Sequence, residues 1–254
     1  MPIFDTHAHY DADRFDSDRD ALLSAMPGGG VGLVLDPGCD LPSSRAAAEL
    51  AERYPHVYAA VGVHPEDCDG FQDEDLTELR QLLERPKVVA IGEIGLDYYW
   101  KEVPRDLQKE VFRAQLQLAK VLDLPVIVHY REAHADCLAI VREFPGVRGV
   151  FHCYSGSAED AKTLVKLGWH LSFTGTITFK NARKAPEVIA AVPLERIMVE
   201  TDAPYMAPTP FRGKRCDSRY VYRMAETIAE IKGLTPAEVE QATTENGKAL
   251  FAIP

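Results

Sequence analysis

The sequence contains no apolar run near the roughly 18 residues that suggest a membrane-spanning helix. Its opening stretch, MPIFDTHAHYDADRF, has neither a basic leader nor an apolar segment, so no signal peptide is expected there. Cysteine is scarce and odd in number: Cys39, Cys68, Cys137, Cys153 and Cys216, none in CxxC spacing. This argues against a disulfide framework and leads to the expectation of a reducing, cytoplasmic setting. There is no nucleotide-loop glycine motif, low-complexity linker, repeat or long block of like charge. Residues 1–254 are therefore read as one domain. Positive charge is also in short supply. Lys and Arg total 28 against 39 Asp and Glu, a formal net charge of −11. Such a balance disfavours broad adhesion to nucleic acid or anionic membrane. It does not exclude a nucleic-acid substrate, because bound divalent cations and a local basic loop can still attract phosphate.

What the sequence does have is alternation. Apolar residues make up 46% of the chain, enough for a sizeable core. Short runs rich in Val and Ile fall at 2–9, 31–36, 57–64, 88–93, 125–129, 147–152, 169–173 and 197–202. Buried parallel strands have this composition. Between them lie helix-like stretches at 16–26, 43–53, 74–84, 104–122, 132–143, 158–167 and 186–192, with two more at 218–232 and 236–250. The stretch 104–122 repeats Leu107, Val111, Ala114, Leu118 and Val121 at helical spacing. Thr235-Pro236-Ala237-Glu238 is a helix-start signal, with a Thr cap, Pro at the first position and Glu at the third. Eight strands alternating with helices in a chain of this length suit an α/β fold, the TIM-type (β/α)8 barrel. An open doubly wound sheet is the alternative, but it usually has fewer strands.

Six of the eight runs end on residues that bind metals: His7 and His9, His64, Glu93, His129, His152 and Asp202. In a barrel all C-terminal strand ends meet at one mouth, and side chains at i and i+2 share a face. His7 and His9 can therefore point inward together. Five of the eight histidines fall at these ends. Gathering so many ionisable groups without a cation would bury charge at high cost. Imidazole with carboxylate suits Zn²⁺, Mn²⁺ or Fe²⁺, and a carboxylate-rich site that keeps water ligands also suits Mg²⁺. The other histidines are read differently: His56 as exposed, and His170 and His134 as structural.

The segments Phe4-Asp5-Thr6-His7-Ala8-His9-Tyr10-Asp11, Val61-Gly62-Val63-His64-Pro65, Gly92-Glu93-Ile94-Gly95-Leu96-Asp97-Tyr98 and His152-Cys153-Tyr154-Ser155-Gly156-Ser157 occur in that order. They are followed by Glu200-Thr201-Asp202-Ala203-Pro204-Tyr205, Arg212-Gly213-Lys214-Arg215 and Glu245-Asn246-Gly247-Lys248-Ala249-Leu250-Phe251. With these segments, the chain resembles the TatD family of metal-dependent hydrolases over essentially its whole length. The resemblance implies two divalent metal ions (Mg, Mn or Zn). His7, His9 and Asp202 would hold one, His129 and His152 the other, and Glu93 would bridge them. His64 would sit near the substrate phosphate. The chain departs from the family at Cys216-Asp217-Ser218, where Asn, a small residue and Pro usually follow the basic loop. That puts the conformation of the loop in question. Cys216 is read as an ordinary thiol.

The expected chemistry is phosphodiester hydrolysis. Two ions about 3.5–4 Å apart would clamp the phosphate and activate water. Asp202 would take its proton, with Glu93 and His64 completing the catalytic set. Arg212, Lys214 and Arg215 after strand eight, and Lys180, Arg183 and Lys184 after strand seven, occupy loops that often bind phosphate in barrels. Tyr98, Tyr99, Trp100, Tyr154 and Tyr205 follow strand ends and are candidates for stacking on bases. Asp97 is a candidate for orienting a ligand histidine or capping the following turn. The leading expectation is an exonuclease acting on ends of single-stranded DNA, with Arg212 and Tyr205 contacting substrate. No membrane partner is expected, and no oligomer is required. The alternatives are a metal-dependent amidohydrolase or esterase on a small substrate, and a non-catalytic protein whose metal is structural.

Overall fold

The computed structural model describes residues 2–254. Its strands are β1 (Ile3–Asp5), β2 (Val31–Pro37), β3 (Val57–Val61), β4 (Val88–Asp97), β5 (Val126–Arg131), β6 (Gly149–Phe151), β7 (His170–Phe173) and β8 (Ile197–Val199). All pair in parallel and in chain order, forming one eight-stranded sheet. The sheet curls into a nearly closed TIM-type barrel. Its seam is bridged where Thr6 N donates to Val199 O (3.2 Å), Asp202 N to His7 O (2.9 Å) and His9 N to Ala203 O (2.7 Å).

Helices α1 (Arg19–Ala25), α2 (Leu41–Arg53), α3 (Asp73–Leu82), α4 (Arg105–Leu122), α5 (His134–Glu143), α6 (Ala158–Lys166), α7 (Lys184–Ala191), α8 (Tyr222–Lys232) and α9 (Pro236–Leu250) follow the strands. No helix among the described residues is long and apolar enough to cross a membrane. The start of α9 forms the capping box its sequence predicts: Thr235 Oγ1 accepts from Glu238 N, and the Glu238 carboxylate accepts from Thr235 N. The first part of the stretch 218–232 is instead a 3-10 turn, Ser218–Tyr220, before α8 begins.

Helix α4 buries a face rotated from the expected stripe. Val111, Phe112, Leu116, Leu118 and Ala119 face the sheet, whereas Val121 is exposed. Two glutamines complete that face. Gln115 exchanges hydrogen bonds with the backbone N–H and C=O of Val63 (2.8 and 2.9 Å). Gln108 does the same at Asp97 (2.9 Å each). A hydrophobicity pattern cannot register them, yet each fixes a segment that carries a site residue. Gly95, at φ 146°, lets β4 approach β5, since a Cβ there would lie 1.9 Å from His129 O.

The barrel interior has an apolar lower layer of Phe4, Leu35, Ala60, Ala90, Ile127, Val150 and Met198, closed from below by Leu250, Phe251 and Ile253. Asn246 on α9 donates to Leu194 O (2.8 Å) and Ile197 O (2.7 Å), and Gly247 leaves room for the Phe4 ring. The late motif 245–251 therefore forms the floor of the barrel.

Candidate metal centre and active site

One period-two step above the floor, apolar residues give way to ionisable ones. Ile127 is followed by His129, Val150 by His152 and Met198 by Glu200. Glu93 sits within β4, at a register irregularity between Ile91 and Ile94, rather than at the strand's end. Its backbone N–H is held by Gly38 O (2.8 Å), just as His64 N is held by Cys39 O (2.7 Å). The loop after β2 thus places both residues. Past β1, His7 and His9 face the mouth while Ala8 packs outward. Asp202 adopts a left-handed φ of 56°, uncommon for a residue with a side chain.

Six side chains meet around Glu93. Its Oε1 lies 2.7 Å from His152 Nε2, 2.8 Å from His129 Nδ1 and 3.7 Å from His64 Nε2. Its Oε2 lies 3.2 Å from His7 Nε2 and 3.5 Å from His9 Nε2. Asp202 Oδ1 is 3.9 Å from His7 Nε2 and 3.6 Å from His9 Nε2. The predicted residues His7, His9, His64, Glu93, His129, His152 and Asp202 are thus brought together, without a Lys or Arg among them.

The outer nitrogen of each ring decides what the inner one can do. His129 Nε2 faces Asp97 Oδ2 (2.9 Å), His9 Nδ1 faces Pro37 O (3.1 Å), and His152 Nδ1 lies 3.4 Å from Glu200 Oε1. For His129 and His9 the outer acceptor places a ring proton there and, in the neutral ring, leaves an inward lone pair; the outer Nδ1 atoms of His152 and His7 make no hydrogen bond. His64 has the opposite arrangement. Glu66 N donates to its Nδ1 (3.2 Å), so the proton of the neutral ring is on Nε2, facing the cavity. Burial, reinforced by His129, pushes the His64 pKa down to about 3, so this ring is neutral near pH 7. His64 is therefore a donor into the site, whereas the carboxylates facing His9, His129 and His152 raise their pKa values, so their inward nitrogens carry protons that a bound cation would displace.

Burial alone would protonate Glu93. Without a cation, protons on the inward nitrogens offset this: the charge of His152, with hydrogen bonds from His129 and His152, holds its carboxyl well below the usual carboxylate range. Asp202 behaves alike: burial opposes ionisation, and the hydrogen bond with His9 and the charge of His152 outweigh it. A buried anionic centre ringed by imidazoles needs positive charge, and a divalent cation supplies it without protons. The donor set therefore fits metal ions of the Zn²⁺, Mn²⁺ or Mg²⁺ class.

The sequence model of the family described as TatD related DNase matches residues 4–252. The chain belongs to the TatD family. It is 45% identical over 253 residues to the uncharacterized metal-dependent hydrolase YabD of Bacillus subtilis (strain 168), covering 99% of each chain. It is 34% identical over 261 residues to the 3'-5' ssDNA/RNA exonuclease TatD of Cronobacter sakazakii, covering 98% of this chain and 97% of that protein. The crystal structure of YJJV, a TatD homologue from Escherichia coli K12, superposes with a TM-score of 0.93 at 36% identity, covering 100% of this chain and 99% of that one. This protein is accordingly a metal-dependent hydrolase.

In this TatD-family barrel the mouth is a cavity of about 700 Å³, with Glu93, His9, His64, His129, His152 and Asp202 among its lining residues. Tyr205 lines it and is 50% exposed, with Arg14 over its ring at 5.6 Å. Arg212 does not line it. This guanidinium lies outside the cavity, 4.5 Å from the Phe179 ring centroid. Arg215 is removed further from the expected role, being paired with Asp18 (2.5 Å) and stacked over Phe15. Tyr98 and Tyr154 are buried and bonded to Asp136 and Ser157 O, so neither is free to stack on a base. His56 is half-buried rather than exposed.

The unusual stretch Cys216-Asp217-Ser218 has a structural use. Asp217 caps the 3-10 turn and pairs with Arg219, while Ser218 is bonded to Tyr10 from the loop after β1. Cys216 is buried.

Arg131 escapes a reading of the sequence alone. It is the one Lys or Arg lining the cavity among the described residues, and it lies over Tyr99 (3.7 Å) and Trp100 (5.9 Å). Its position two residues after His129 on β5 gives it the same face, a signal that was available. Asp97 makes contacts that suit both roles expected of it. Oδ2 faces His129, and Oδ1 accepts from Tyr99 N and Trp100 N (2.9 and 3.2 Å).

Proposed function

We propose that this hydrolase cleaves phosphodiester bonds at the ends of single-stranded nucleic acid, DNA above all. The named activity of the Cronobacter relative supports attack from the 3' end. The observation that carries the reading is the make-up of the mouth. Histidines clustered about Glu93 form its floor, one neutral histidine donates into it, and Arg131 with Trp100 and Tyr205 occupies its rim.

His7, His9 and Asp202 would hold one divalent ion and His129 and His152 a second, with Glu93 between them. When bound, such ions supply Lewis acidity toward phosphate and lower the pKa of water. Asp202 accepts the proton released as water attacks. The Nε2–H of His64 donates to a phosphate oxygen. Arg131 adds charge against the same phosphate group, held on its aromatic support. Trp100 and Tyr205 offer faces to unpaired bases. Arg212 contacts the strand only outside the central cavity. Nothing in this arrangement needs a second subunit or a membrane.

The test is degradation of end-labelled single-stranded DNA by chelated protein, with Mg²⁺, Mn²⁺ or Zn²⁺ restored and Glu93→Ala alongside. Metal-dependent ladders absent from the variant are expected. Metal binding without cleavage, accompanied by turnover of a small neutral ester or amide, would replace the nuclease reading with the amidohydrolase or esterase alternative.

A further inference from the structure

The central cavity opens toward two neighbouring grooves of opposite character. One, about 330 Å³, shares Trp100, Glu66 and Asp67 with the cavity and adds Glu102. The other, about 350 Å³, shares Ser155 with it and includes Phe179, Asn181, Arg183 and Lys184 among its lining residues. Among the described residues, no Asp or Glu lines this second groove. Arg212 stands at its edge, over Phe179. Other arginines of the later chain are already committed: Arg215 to Asp18, Arg219 to Asp217 and Arg223 to Glu226. Arg183, Lys184 and Arg212 have no ion-pair partner among the described residues.

We propose that the Ser155 side is the path of the strand, so that nucleotides beyond the scissile bond lie in the groove formed by the loops after β6 and β7. This rests on the nuclease reading above and adds a direction and a length requirement to it. A polyanion leaving a cavity between an acidic exit and a basic one is repelled at the first and held at the second. Each phosphate neutralised in the groove also releases counterions, so longer strands gain affinity that salt removes. Phe179, half-buried under Arg212, gives the groove an aromatic element beside its cations.

The experiment compares a dinucleotide with a strand of about 12 nucleotides. It uses wild-type protein, the double variant Arg183→Glu/Lys184→Glu, and a control with the same charge change in the last turns of α4 and α6, at the helix ends away from the mouth, Lys120→Glu/Lys166→Glu. Binding of the labelled long strand is also followed by anisotropy in calcium, across a salt series. The expected result is a long-to-short ratio of kcat/KM that falls about tenfold or more in the groove variant and stays put in the control. The salt slope of binding should fall by roughly 0.7 for each phosphate that the variant no longer neutralises. Equal loss on both substrates, or equal loss in the control, overturns the proposal. So does a wild-type enzyme indifferent to length, which leaves the nuclease reading standing. If no substrate is cleaved the nuclease reading fails, and unchanged strand binding by the groove variant still overturns the path.

Discussion

The two halves of the barrel interior are built on the same strands and differ by a single two-residue step. The lower half is a packed plug in which Phe4 meets Phe251 edge to face at 6.2 Å, and α9 supplies the floor. The upper half gathers five imidazoles and several buried carboxylates around Glu93. One half is selected for volume and the other for convergence of charge. Substitutions should therefore separate cleanly: those below act on stability, and those above act on metal and turnover with little cost to folding.

The largest separation is expected at Glu93. Glu93→Ala removes the oxygen pair that all five mouth histidines face. Turnover should fall on the order of 10³-fold or more, as for loss of a major electrostatic element. Bound metal measured by atomic spectroscopy should fall with it, while the circular dichroism spectrum of the metal-free protein is retained. An unfolded variant would show that the two halves are not independent.

The counterpart below is Phe251→Ala, which empties a buried ring position beneath Phe4. A loss of about 3–5 kcal/mol in urea unfolding is expected, with activity per folded molecule unchanged. A fall in that activity at full folding would mean that the floor also tunes the mouth.

Asp97→Ala tests the intermediate case, because Asp97 touches no proposed reacting group and acts through His129. Metal affinity should drop about 10- to 100-fold. A mainly structural role, through the turn at Tyr99 and Trp100, would instead lower stability and leave metal affinity in place. The two outcomes are read in one titration.

The sequence pattern locates every strand but not their ends, and the errors have a physical source. The residues that matter stand just beyond the hydrogen-bonded ladder, so the apolar runs through His9, His64, His152 and Asp202 extend past the ends of β1, β3, β6 and β8. β4 errs the other way. Glu93 interrupts an apolar run at a register irregularity, and the strand then resumes to Asp97. Period-two spacing makes the convergence of His7, His9, His129 and His152 legible, and it could have delivered Arg131. Loop cations were harder to place. Arg212 and Arg215 follow β8 in a segment whose course is set by distant contacts, Cys216 N to Pro204 O and Ser218 to Tyr10, and no local pattern encodes those. The gathering role of Gln108 and Gln115 was equally hidden, because a buried amide reads like any solvent-facing polar side chain until its backbone partners are known.

The smallest effect concerns the one histidine on a lower strand end. His170 begins β7 and shares a face with Ser172, remote in sequence from the mouth residues. Burial, with the charge of Arg196 acting in the same direction, pushes its pKa from 6.5 down to about 4. The folded state therefore binds fewer protons than the unfolded state between these values. Stability is fully present above about pH 6.5 and is lost as pH falls toward 4. His170→Gln cannot take up that proton, so it should flatten the acid side of the stability curve by roughly 2 kcal/mol relative to wild type. Urea midpoints of both proteins at neutral pH and near pH 4.5 measure the difference. Equal slopes would mean that His170 is not the lower half's acid-sensitive group, and that the acid response belongs wholly to the mouth.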